Sequence, residues 1–104
     1  MPQTRKAVKP ARVSEVLAVY LQRAGLTERV AQAGVIAEWP AIVGPDVARV
    51  AAAEAVTPDG VLLVRVRSSA WANELSLMAH QIIARVNAGR TTGRIERIRW
   101  LVGA

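Results

Sequence analysis

The first third of the chain places apolar residues at helical spacing. Ser14 can cap a helix, Glu15 suits its first turn, and Leu17, Tyr20, Leu21 and Ala24 recur at intervals of three and four before Gly25. Thr27 offers a second cap, followed by Glu28 and by Val30, Ala33, Val35, Ile36 and Trp39, with Pro40 disturbing the end. Gly44-Pro45-Asp46 reads as a new start lasting to about Val50. From Ala51 the period changes to two. Ala53 to Thr57 and Val61 to Arg67 flank Pro58-Asp59-Gly60, where Pro presets one dihedral and Gly accepts a positive φ, so a hairpin is predicted. Ser68 or Ser69 then caps a long helix on which Trp71, Leu75, Met78, Ile82 and Val86 form a stripe widened by Ala79 and Ile83. Asn87-Ala88-Gly89 ends it, a polar loop follows, and a closing strand runs from Ile95 to Trp100 and beyond.

The predicted order is helix, helix, short helix, strand, strand, long helix, strand. A three-stranded sheet with helices on one face buries every stripe and leaves the other face open, an α+β architecture of the KH-like kind. Trp71 and Trp100 lie on apolar rows and are expected in the core. Trp39 fits either a helix boundary against the sheet or the surface.

Charge sharpens this picture. The 104 residues carry a net charge of +6, unevenly spread. Residues 1–12 hold Arg5, Lys6, Lys9 and Arg12 with two prolines and no acid, and are expected to form a disordered basic arm ahead of a domain spanning 13–104. Residues 13–60 are acidic on balance. Residues 61–104 hold seven Arg against two Glu. Because side chains alternate along a strand, Arg65 and Arg67 share one face of theirs, and Arg97 and Arg99 share one face of the last strand. If those strands are neighbours, four arginines line the open face of the sheet with no interleaved acid, and Arg90 and Arg94 stand in the adjoining loop. Such a face suits the phosphates of a nucleic acid, contacted through the backbone with weak sequence preference.

Catalytic chemistry finds little material. There is no cysteine, the eight acids are scattered, and His80 has no Asp or Glu three or four residues away. Gly44-Pro45 lacks the Lys-Ser/Thr end of a phosphate-binding loop. The Gly89 to Gly93 segment has one residue too many for the Gly-x-x-Gly grip of RNA-binding KH domains, and it follows the long helix instead of joining two helices. No apolar run approaches the ~20 residues of a membrane span, and no secretory leader is visible. A non-enzymatic cytoplasmic protein without cofactor, metal or small-molecule substrate is expected.

Trp39-Pro40-Ala41-Ile42-Val43-Gly44, the hydrophobic hairpin, Ser68-Ser69-Ala70-Trp71-Ala72-Asn73-Glu74-Leu75 and the later Val86-Asn87 occur in an order and spacing that resembles the DciA family of bacterial replicative-helicase loaders, over residues 14 to 102. The resemblance implies a KH-like fold, binding of single-stranded or forked DNA and of the replicative helicase DnaB, and a role in helicase loading without nucleotide hydrolysis. The competing expectation is a general single-stranded nucleic-acid-binding module, RNA included. Members of the family often carry a low-complexity extension, whereas the extension seen here is the short basic arm.

Overall fold

The computed structural model describes the backbone of residues 10–103 and side chains from Ser14 onward; Arg5, Lys6 and Lys9 lie outside the described residues. The elements are α1 (Pro10–Val43), α2 (Pro45–Val50), β1 (Ala51–Val56), β2 (Val61–Val66), α3 (Ser69–Ser76), α4 (Ala79–Asn87) and β3 (Arg97–Val102). The strands form one sheet in the order β1-β2-β3, with β1 antiparallel and β3 parallel to β2. The α+β class and the sheet of three strands agree with the sequence reading.

The first two predicted helices are one. Gly25 and Thr27 do not interrupt α1, which runs 34 residues with Pro40 in its last turns. Gly25 keeps a negative φ, and the Thr27 hydroxyl donates to the Arg23 carbonyl at 2.9 Å instead of capping a new helix. One glycine costs only about 1 kcal/mol in a helix interior, less than breaking and recapping the helix would lose here. Pro40 forfeits one backbone bond, and its own carbonyl accepts from Gly44 N at 3.0 Å as the helix closes. Gly44 takes φ 89°, which a side chain would resist, and starts α2.

A strand of six residues spans roughly 20 Å, whereas 34 helical residues span roughly 50 Å. Only the C-terminal third of α1 therefore meets the sheet. It buries Gln32, Val35 and Trp39 against β1 and α4, while every described residue from Ser14 to Val30 is exposed. The radius of gyration is 19.9 Å and the longest dimension 71 Å, against about 13 Å for an ordinary domain of 100 residues.

The predicted long helix divides at Leu77–Met78 into α3 and α4. Ser68 caps α3 by accepting from Trp71 N at 3.3 Å, as expected. The inward row, however, runs through half-buried Ala72, then Leu75, Ile82 and Val86. Trp71 is consequently 40% exposed and Met78 lies outside the core, which corrects the assignment of Trp71 to it. One residue is 100° on a helix, so the neighbouring Ala72 fills the position that the apolar spacing had given to Trp71. Trp100 is half-buried against the core cluster. The buried tryptophan is Trp39, whose indole N–H donates to the Ala51 carbonyl at 3.0 Å and ties α1 to the first residue of β1.

Candidate nucleic-acid interface

The helices cover one face of the sheet with Leu62, Val64 and Val66 beneath them. The other face carries the arginines. Arg65 on β2 stands opposite Ala52 and Leu101, and Arg97 and Arg99 on β3 stand opposite Val61 and Leu63. Parallel pairing makes β2 and β3 neighbours, so their arginines do share a surface. The register offsets Arg65 and Arg99 by two residues, and each cation sits beside an apolar neighbour. Repulsion is reduced by this checkerboard. Arg97 and Arg99 are exposed, as is Arg67 beyond the end of β2.

One acid interrupts the face, contrary to the expectation of none. The register of β1 shifts between Ala53 and Ala55, and Glu54 occupies the bulge. From there Glu54 meets Arg65 in a two-pronged pair, with Nε at 2.7 Å from Oε2 and Nη2 at 3.2 Å from Oε1. The hydrogen bond from Arg65 holds the Glu54 carboxyl below the usual carboxylate range, and Glu54 in turn raises the guanidinium. Asp59 lies near enough to Arg97 to feel its charge, although the Thr57 hydroxyl is the larger cause of its lowered pKa. Arg67 and Arg99 have no ion pair among the described residues.

The loop arginines are placed differently. Arg90 is drawn into the fold: its guanidinium donates to the carbonyls of Val86 at 2.8 Å and Ala31 at 3.0 Å and pairs with Glu38 at 2.7 Å, leaving the side chain 13% exposed. It links α4 to α1 instead of facing the open sheet. Arg94 is exposed and donates to the Arg90 carbonyl at 3.0 Å, beside a shallow cleft that also contains Glu28, Asp59 and Glu96. The acids make that end of the molecule a poor phosphate site. Arg12 lies in the first turn of α1, and its side chain is not among those described.

Two residues missed in the sequence complete the site. Arg49 of α2 lines a shallow recess of about 210 Å³ with Glu54, Arg65, Arg67 and Gly103, its guanidinium 3.0 Å from exposed Asp46. Arg67 is carried to this recess by its backbone, whose N–H donates to the Val50 carbonyl at 3.1 Å. Nothing in the spacing of Arg49 relates it to Arg67; the turn from α2 into β1 brings them together. Asn87, read as a helix-ending residue, is buried, and its amide holds Ile95 by both backbone polar groups. This fixes the start of β3 and so the placement of Arg97 and Arg99. His80 is exposed on α4.

A family model described as Dna[CI] antecedent, DciA, matches residues 12–100. The chain belongs to the DciA family. Similar proteins include a UPF0232 protein of Streptomyces coelicolor, 42% identical over 69 residues covering 65% of this chain and 36% of the relative. Another, from Mycobacterium bovis, is 39% identical over 67 residues, covering 64% of this chain and 35% of the relative. A third, from Rhodococcus jostii, is 34% identical over 75 residues, covering 72% and 39% respectively. The DciA domain described here thus corresponds to little more than a third of the length of these relatives. Among the described residues no helix is long and apolar enough to cross a membrane.

Proposed function

We propose that this DciA domain is a cytoplasmic, non-enzymatic accessory module of DNA replication that holds single-stranded or forked DNA on its open sheet face and contacts the DnaB-type replicative helicase to assist its loading. The observation that carries the DNA half is the uncovered face on which Arg67, Arg97 and Arg99 stand exposed beside Arg65. The cations project from strands, without the aromatic rows of a base-reading sheet, so contact is to phosphates and sequence preference is weak. Trp71, exposed four residues after Arg67, adds a ring on which a base can stack, an interaction worth roughly 1 to 3 kcal/mol. Arg5, Lys6, Lys9 and Arg12 add four positive charges in the N-terminal sequence as a second candidate for phosphate contact. The helicase half of the proposal is supported by membership of the DciA family.

Fluorescence anisotropy with labelled single-stranded and forked DNA tests the first half, comparing the chain with a variant in which Arg65, Arg67, Arg97 and Arg99 are all Ser. Affinity should fall at least tenfold with melting unchanged; equal affinity would remove the sheet face from the reading and leave the basic arm. Co-sedimentation with the cognate DnaB-type helicase tests the second half. Retention of DNA binding without any helicase contact would leave a general nucleic-acid module, RNA included, in place of a loader.

A further inference from the structure

The protruding part of α1 has an apolar seam with nothing against it. Val16, Val19, Arg23, Leu26 and Val30 recur at intervals of three, four, three and four, the spacing of the a and d positions of a coiled coil. Tyr20 flanks them. The four apolar members and Tyr20 are 46–66% exposed. At 100° per residue this row lies on the side of the helix opposite Val35 and Trp39, the residues that face the sheet. It is therefore not an extension of the core stripe, and the domain's own core cannot cover it without breaking the helix.

The geometry points to a second copy of this chain as the occupant, paired antiparallel along the Val16-to-Val30 seam. Charge selects the direction. Glu15 and Arg23 flank Val16, Val19 and Tyr20 in a shallow groove along the helix. A parallel pair would set Arg23 against Arg23 and Glu15 against Glu15. With Val16 at the level of the second copy's Leu26, Val19 instead faces Arg23, whose guanidinium is then one helical turn from Glu15. Both ends of the seam gain the same pair by symmetry.

The area is that of a weak dimer. Full burial of a Val or Leu side chain removes roughly 60 to 120 Å² of apolar surface. The exposed fractions of Val16, Val19, Tyr20, Leu26 and Val30, counted on both copies, amount to roughly 550 Å². At the roughly two-thirds apolar share of homodimer interfaces this corresponds to about 850 Å² in total, the size of a weak, transient contact. Leu17 and Leu21 lie on the opposite side of the helix, in line with Val35 and Trp39.

Sedimentation equilibrium of the full chain without DNA, from about 1 to 200 μM, tests the pairing independently of the DNA and helicase readings. The mass should rise from 11.2 kDa towards twice that value. Val19→Glu combined with Leu26→Glu should hold it at 11.2 kDa throughout. Both positions are exposed, so the thermal transition followed by the fluorescence of buried Trp39 should not move. Glu15→Arg should weaken association about tenfold and Glu15→Arg with Arg23→Glu should restore it. A chain that stays monomeric at 200 μM, or a dimer that survives the Val19/Leu26 double variant, overturns the proposal. Small-angle scattering then identifies the alternative. A monomer near 13 Å in radius has folded α1 back on itself, and one near 19.9 Å keeps the seam for another protein.

Discussion

The side-chain amide of Asn87 grips the main chain of Ile95 at both polar groups, its Nδ2 donating to the carbonyl at 2.8 Å and its Oδ1 accepting from the N–H at 2.7 Å. All three groups are shielded from water, so each bond replaces a solvation that the fold has removed. The clamp closes the loop between α4 and β3 and sets the level at which β3 enters the sheet. Gly93 assists by approaching α1 so closely that a Cβ would lie 2.7 Å from that of Ala31.

Replacing Asn87 with Ala should therefore cost about 2 to 4 kcal/mol, because Ile95 is left with a buried donor and a buried acceptor unpaired. Urea denaturation measures the loss. Stability within 0.5 kcal/mol of wild type, a margin set by ordinary surface substitutions, would show that water replaces the amide.

The three tryptophans should separate by burial. Trp39→Ala should destabilise by about 3 to 5 kcal/mol, and Trp39→Phe by about 1 to 2 kcal/mol for the lost bond to Ala51. Trp71→Ala should cost under about 1 kcal/mol, as for an exposed site, while weakening single-strand binding by roughly 1 kcal/mol or more. Thermal melting of the three variants side by side checks the order.

Binding to single strands should depend moderately on salt. With Glu54 engaging Arg65 and Asp59 near Arg97, about three phosphates are neutralised, for a log-log slope near −2 and a loss of roughly twentyfold between 50 and 200 mM salt. Glu54→Gln should strengthen binding and steepen that slope by releasing Arg65. Anisotropy titrations at four salt concentrations decide; weaker binding by Glu54→Gln would mean that the pair positions Arg65 for contact.

Acid should weaken the Glu54–Arg65 pair. The folded-state pKa of Glu54 is depressed by its bond to Arg65, so its contribution is fully present above the ordinary carboxylate value. It is lost as pH falls from there through the depressed value. Asp59, lowered mainly by the Thr57 hydroxyl, acts in the same direction. Both groups are exposed, so the effect is small. Denaturation midpoints between pH 7 and pH 3 should decline less for Glu54→Gln than for wild type, and equal declines would assign the acid sensitivity elsewhere.

The hairpin at Pro58-Asp59-Gly60, the Ser68 cap and the alternation of Leu62, Val64 and Val66 with Leu63 and Arg65 were legible in the chain, because each depends on dihedral preferences or on a period that neighbouring residues set themselves. The α+β class follows from those elements. The arginine row was legible for the same reason, as strand alternation requires no knowledge of the partner. Tertiary structure decided the rest. The continuity of α1 through Gly25 and Thr27 is a balance of about 1 kcal/mol that local signals cannot settle. Whether Trp71 or Ala72 faces inward depends on where α3 meets β3, a rotation of 100° invisible to spacing alone. The pairing of Glu54 with Arg65 needs a bulge, and that of Arg90 with Glu38 needs two helices distant in sequence to pack. The charges of a site are written in the chain, but which of them remain available to a ligand is settled by long-range contacts that bring particular acids to particular arginines.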